Sequence, residues 1–302
     1  MPDPSAAQPS RITFPVRGGA LTGYRWACEG APVLIFAHAN GFNASTYRHL
    51  LAPLSGQVEI VAVDLRGHGR STAPWDPDAL DGWQIHGEDL AEVARSLMPR
   101  PLILAGHSMG ATSQILAAAR LDPAPLGLAL IEPVIMPVTL RVLMHTPAGP
   151  AFMNRFPLVT NAKARKDGWA DIEAVKARYS SKSTFSRWAD GMLDDYLEDG
   201  LVEQDGEWHL ACPPAWEAAN FAAQRHAPIK AARQLASPIH VLQAGHGSTL
   251  RDPKALLGAG AQIECAEDDG HLLAMESPDE TRRWLSRTLT RLMAETDDGL
   301  AG

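Results

Sequence analysis

Short apolar runs alternate with helical periods along most of the chain. "RITFPV" and "LTGYRWA" read as opening strands on either side of Gly18 and Gly19. "PVLIFA" (32–37) is apolar throughout, as expected of a strand buried on both faces. "STYRHLLAPL" (45–54) follows as a helix with Ser45 as its N-cap. "VEIVAVD" (58–64) is a strand, and "WQIHGEDLAEVARSLM" (83–98) has a helical period. "PLILAG" (101–106) and "LGLALIE" (126–132) are strands separated by a helix over 109–120. Strands alternating with helices mean βαβ units and a mostly parallel sheet, here led in by antiparallel strands.

The alternation stops after Glu132. From Pro133 to Ala227 there are prolines, scattered aromatics and helical patches, but no strand alternation. It resumes with "SPIHVLQAG" (237–245) and "AQIECAE" (261–267). "SPDETRRWLSRTLTRLMAE" (277–295) is an amphipathic helix with Ser277 as N-cap, Pro278 at its first position and Glu280 closing a capping box. The expected organisation is one α/β core domain over 11–132 and 228–295, with a helical cap over 133–227 inserted after the sixth strand. Residues 1–10 and 296–302 are expected to be flexible termini.

Composition narrows the class. The 302 residues are 45% hydrophobic and 21% charged, as in a globular protein. A net charge of −8 without a Lys/Arg cluster argues against a nucleic-acid partner. No apolar run is long enough to span a membrane, and "MPDPSAAQPS" is not a secretory signal. Cys28, Cys212 and Cys265 are widely spaced and odd in number, which suggests reduced thiols and a cytoplasmic location. A homo-oligomer is left open. No HExxH, paired CxxC or strand-following GxGxxG occurs, so neither metal nor organic cofactor is expected.

"GHSMG" sets Ser108 between Gly106 and Gly110, with His107 and Met109 as its neighbours, after an apolar strand and before an apolar helix. A strand turning sharply into a helix crowds its backbone, and glycines two residues either side of the serine remove the colliding Cβ atoms. The hydroxyl then projects at the carboxyl edge of the sheet, beside the partial positive charge of a helix N-terminus. An N-cap serine eased by glycines is the structural alternative.

With "AHANGFNASTYRHL", "VDLRGHGRS" and "DDGHLLAMESP" in the same order, "AGHSMG" makes the chain resemble the α/β-hydrolase fold family, in its cap-bearing branch of esterases and C–C hydrolases. Haloalkane dehalogenases and epoxide hydrolases are related but use an aspartate nucleophile; a serine suits carbonyl chemistry. The resemblance implies a mostly parallel sheet flanked by helices. It also implies a nucleophile elbow at Ser108.

A serine hydroxyl needs a base. His107 points away from Ser108 in an extended segment. His68 matches a structural loop of the family, while His38, His240 and His246 lie near strand ends. His271 follows the last strand on a loop before the closing helix and matches the family's base. The family most often places the orienting acid three residues beyond a glycine after the strand that follows the cap. Here Gly245 is followed at that distance by Ser248, not an acid. Glu132, closing the strand before the insertion, is the expected substitute, because a carboxylate left unpaired there would be costly. Asp252 is the alternative acid, although "DPKALLG" also reads as an N-cap followed by proline.

The oxyanion donors implied are the backbone N–H of Met109 and that of Phe42, with Ala39 or the Asn40 side chain as alternatives to Phe42. A few cap aromatics are expected to roof the cleft. The expected reaction is hydrolysis of an ester-like bond in a small, partly apolar substrate through an acyl-enzyme on Ser108. C–C hydrolysis, perhydrolysis and acyl transfer are compatible with the same residues. A non-catalytic ligand-binding protein keeping the fold is the alternative of another class.

Overall fold

The computed structural model describes residues 8–300, with side chains through residue 295. Residues 1–7 and 301–302, part of the termini expected to be flexible, lie outside the described residues. An eight-stranded sheet forms the centre. Its strands are β1 (Ser10–Val16), β2 (Gly19–Trp26), β3 (Val33–Ala37), β4 (Glu59–Val63), β5 (Leu102–His107), β6 (Gly127–Ile131), β9 (Ile239–Ala244) and β10 (Gln262–Ala266), in the order β1-β2-β4-β3-β5-β6-β9-β10. A separate hairpin is formed by β7 (Leu201–Gln204) and β8 (Glu207–Leu210). The β1–β2 and β2–β4 pairs are antiparallel and the remaining pairs of the large sheet are parallel.

The central strands are apolar because both faces are covered. Val33, Ile35 and Ala37 of β3 join one core cluster, while Leu34 and Phe36 join the other. The first cluster includes Leu90 and Val93 of α2 (Gln84–Leu97) and Ile115 of α3 (Met109–Ala118). The second includes Leu50 of α1 (Arg48–Leu51) and Leu285 and Leu289 of the last helix. Burying one such side chain contributes about 1.5–3 kcal/mol, so this two-sided packing dominates the stability of the sheet.

Between β6 and β9 the chain forms α4 (Val138–Met144), α5 (Ala148–Met153), α6 (Pro157–Lys163), α7 (Ile172–Ser180), α8 (Met192–Gly200), α9 (Pro214–Ala222) and α10 (Pro228–Ala232). After β9 come α11 (Pro253–Leu257), α12 (Leu273–Glu276) and α13 (Pro278–Leu300). None of the helices among the described residues is long and apolar enough to cross a membrane.

Several local expectations change. The hairpin β7–β8 breaks the strand-free reading of the insertion. Its turn, Asp205–Gly206, has φ of 54° and 83°, the paired positive values of a two-residue hairpin turn. Ser45 does not cap a helix: its hydroxyl donates to Asp195 O, while Asn43 Oδ1 accepts the Thr46 N–H at 3.0 Å. The Ser277 hydroxyl donates to Asp269 rather than closing a capping box. Ser10 already pairs with Arg25 in the sheet, and α13 runs to Leu300, so regular structure enters both expected tails.

Candidate active site

Strands β3, β5, β6, β9 and β10 are consecutive neighbours and parallel. Their carboxyl ends therefore bring five loops to one edge. The chain runs from β3 to β4 on one side and to β5 on the other, and such a reversal opens a crevice where α/β sheets bind ligands.

Ser108 follows β5 with φ 55° and ψ −116°, a strained conformation for a residue with a Cβ. The flanking glycines allow it. A Cβ on Gly110 would lie 2.2 Å from Ala37 O, and one on Gly106 would lie 2.8 Å from both Ala37 O and Ala111 N. The end of β3 thus passes directly against the elbow. Gly110→Ala should cost at least about 3 kcal/mol by forcing the two apart, measurable as a drop in thermal midpoint. A variant as stable as the parent would contradict this close approach.

Glu132 follows β6, is fully buried and also has a positive φ, 50°. Its Oε1 accepts from the Ala244 N–H and the Ser248 hydroxyl, each at 2.7 Å. Its Oε2 accepts from the Thr249 N–H at 2.9 Å and lies 3.0 Å from His271 Nδ1. Burial alone would raise the carboxyl pKa, but the bonds from His271, Ala244 and Ser248 outweigh it and hold the group below its ordinary range. Ser248, at the position where the family pattern calls for an acid, instead donates to the Glu132 carboxylate at the end of the neighbouring strand. Spacing alone shows that the acid is missing there; only the fold shows what the serine does.

Asp252 is placed differently. Its Oδ1 accepts the Ala255 N–H at 3.1 Å as the N-cap of α11, and its Oδ2 pairs with Arg141 at 3.1 Å. His271 thus meets Glu132. Its ring lies 5.0 Å from that of His107, the residue before Ser108, and its side chain keeps 26% exposure. The Ser108 N–H bonds Ile131 O at 2.9 Å, which joins the elbow to the strand end carrying Glu132.

Met109 opens α3 and so presents one of the free N–H groups of a helix N-terminus. The loop after β3 is internally bonded. The Phe42 N–H closes a turn onto Ala39 O at 3.1 Å with Gly41 at φ 78°, and the Gly41 N–H donates to His68 Nε2 at 3.2 Å. The Asn40 side-chain amide donates to Glu217 O in α9. His38 is fully buried and bonded to Ala39 O and the Leu65 N–H.

The segment between β6 and β9 sits on these loops. Phe42 packs on Trp188 and Tyr196 at ring separations of 5.6 and 5.8 Å, and Phe185 contacts both cap rings. The Ala189 N–H donates to Met275 O, so this part of the segment is fastened to the helix after His271. The Trp188 indole N–H is buried without a hydrogen-bond partner among the described residues. A cleft of about 870 Å³ between loop 77–81 and helices α5, α6 and α9 does not include Ser108, Glu132 or His271. Among the described residues no cluster of His, Cys, Asp and Glu could hold a metal ion.

Residues 34–284 match the alpha/beta hydrolase family. An esterase of Mycobacterium tuberculosis is 38% identical over 104 residues, which cover 34% of this chain and 33% of that protein. Protein phosphatase methylesterase 1 of Mus musculus is 35% identical over 117 residues, covering 37% of this chain and 30% of its own length. The chain thus spans about a third of the length of the curated relatives it matches. Among solved structures, (E)-2-(acetamidomethylene)succinate hydrolase superposes with a TM-score of 0.73 at 20% identity, covering 93% of this chain and 98% of that one. At that identity the likeness speaks for the fold.

Proposed function

The chain belongs to the alpha/beta hydrolase family, and from that premise we propose that it is a serine hydrolase acting on a carboxylic ester, thioester or lactone of a small, partly apolar substrate. The observation that carries this reading is the pair formed by His271 Nδ1 and the buried Glu132 carboxylate at 3.0 Å, at the sheet edge where Ser108 is held in a left-handed turn. Glu132 accepts the Nδ1 proton, which leaves His271 Nε2 bare to act as base. Ser108 Oγ attacks the carbonyl carbon as its proton passes to Nε2. The oxygen takes the negative charge against the N–H groups of Met109 and Phe42, the latter shared with Ala39 O. Collapse expels the alcohol or thiol, which takes the proton from His271. Water, deprotonated by the same imidazole, then releases the acid and restores Ser108.

The aromatic cluster on Phe42 supports an apolar acyl side. Trp188→Ala is expected to raise KM for apolar acyl esters about tenfold with kcat little changed, since it removes contacts shared by ground and transition states. Loss confined to kcat would contradict that role.

The hydrolytic reading is tested by treating the folded protein with a fluorophosphonate at neutral pH and locating the adduct by peptide mass. Modification at Ser108, together with turnover of p-nitrophenyl esters of graded acyl length, is the expected result. An unmodified Ser108 overturns the reading and favours a binding protein on the same fold.

A further inference from the structure

Tyr47 and His107 are buried polar residues that the proposed chemistry does not use, yet their bonds run between two parts of the site. His107 Nε2 lies 2.9 Å from the backbone oxygen of His271. That carbonyl can only accept, so Nε2 carries the proton. Burial, and then the nearby His271, push His107 down to about 3, so the ring is neutral and its Nδ1 is bare. The Tyr47 hydroxyl, 2.7 Å away, donates to it. Tyr47 Oη in turn accepts the Ala39 N–H at 3.1 Å. Ala39 O takes the bonds from His38 and Phe42 that fold the loop after β3. One continuous path therefore runs from the loop of the base, through the residue before the nucleophile, to the loop of the oxyanion donors. Tyr47, His107 and His38 are completely buried, so water offers no substitute partner.

We propose that Tyr47 and His107 are positioning residues whose hydrogen-bond chain sets the His271 loop and the Phe42 loop in one register. The inference rests on the hydrolytic reading above. Neither side chain touches substrate. Each link has a fixed direction: a Phe at position 47 leaves both the Ala39 N–H and His107 Nδ1 without a partner, and both loops lose their common reference. Because the chain is continuous, cutting it at either residue should do the same damage as cutting it twice.

Tyr47→Phe and His107→Phe, compared with the unaltered enzyme on one p-nitrophenyl ester, are each expected to lower kcat roughly ten- to a hundredfold with KM within about twofold. The double variant is expected to match the worse single variant. Losses that add in full in the double variant would show two independent effects, and unchanged kcat would show that the chain positions nothing; either result overturns the proposal. If the variants do not fold, nitrogen-15 NMR of the unaltered protein decides. A His107 ring protonated at Nε2 with an accepting Nδ1 supports the chain, and the opposite tautomer overturns it. That readout needs no turnover. Absence of fluorophosphonate labelling in the parent would remove the hydrolytic reading, and this inference with it. A labelled parent with an unimpaired Tyr47→Phe variant removes the inference alone.

Discussion

Glu132→Gln is expected to lower kcat by about three to four orders of magnitude while leaving the fold intact. The side chains are nearly the same size, so packing around the end of β6 survives. The hydrogen-bond pattern does not. Oε1 accepts from the Ala244 N–H and the Ser248 hydroxyl, so the amide oxygen must remain there. The amide NH2 then takes the place of Oε2, facing the Thr249 N–H and His271 Nδ1. A donor opposite Nδ1 selects the tautomer protonated at Nε2, which cannot take a proton from Ser108. Asp252→Asn serves as the control. Asp252 caps α11 and pairs with Arg141; asparagine still caps, so only the ion pair is lost, which should cost at most about 1 kcal/mol of stability and leave kcat close to that of the parent. Steady-state kinetics on one ester at matched stability separate the two. A nearly active Glu132→Gln beside an inactive Asp252→Asn would transfer the role of the acid and undo the reading of Glu132.

The parts of the molecule that were legible in the sequence are those where one local rule decides. Strands β3 to β6 announce themselves because burial on two faces leaves polar residues only at strand ends, Glu59 and His107, and the elbow because only glycine fits beside Ala37 and Ala111. The hairpin β7–β8 escaped because Glu203, Gln204 and Glu207 are exposed and mask any apolar face. Its Asp205–Gly206 turn was the signal that could have revealed it. Ser45 does not cap because Asn43, two residues earlier, reaches the Thr46 N–H while the serine hydroxyl bonds the backbone oxygen of Asp195, 150 residues away. The support of Glu132 by Ser248 and Thr249, and the chain through Tyr47, join residues 116, 117 and 60 positions apart, a relation that no local pattern encodes.

Acidification is expected to unfold the protein cooperatively near pH 5. His38, His68, His86, His107 and His226 are all buried, and burial pushes each of them down: His38, His107 and His226 to about 3, His86 to about 4, and His68 well below its ordinary value. Local bonding agrees. His38 Nε2 faces the Leu65 N–H, His68 Nε2 the Gly41 N–H, and His107 Nδ1 the Tyr47 hydroxyl, so a second proton on these rings would meet a donor. Unfolded, the same residues take up protons near pH 6.5. The stability they contribute is therefore present above about 6.5 and is lost as pH falls toward 3–4, at about 1.4 kcal/mol per residue per pH unit. Asp64 works in the opposite direction. Burial raises it to about 7 against the bonds from the Ala44 and Arg70 amides, so the folded form takes up its proton first and offsets one histidine. Asp89 and Asp195, also raised, trim the loss further, while the lowered Glu59, Glu132 and Asp199 deepen it once pH falls through the ordinary carboxylate range. The net slope is about 5 kcal/mol per pH unit, enough to consume a stability of about 5–15 kcal/mol within roughly one to three units below pH 6.5. Near-ultraviolet circular dichroism against pH locates the transition. Urea titrations between pH 7 and 5.5 give the protons taken up on unfolding, about four near the lower limit. Native tertiary signal retained at pH 3, or an uptake near zero at pH 5.5, would mean that these rings are charged inside the fold and that their buried bonds are not the ones described.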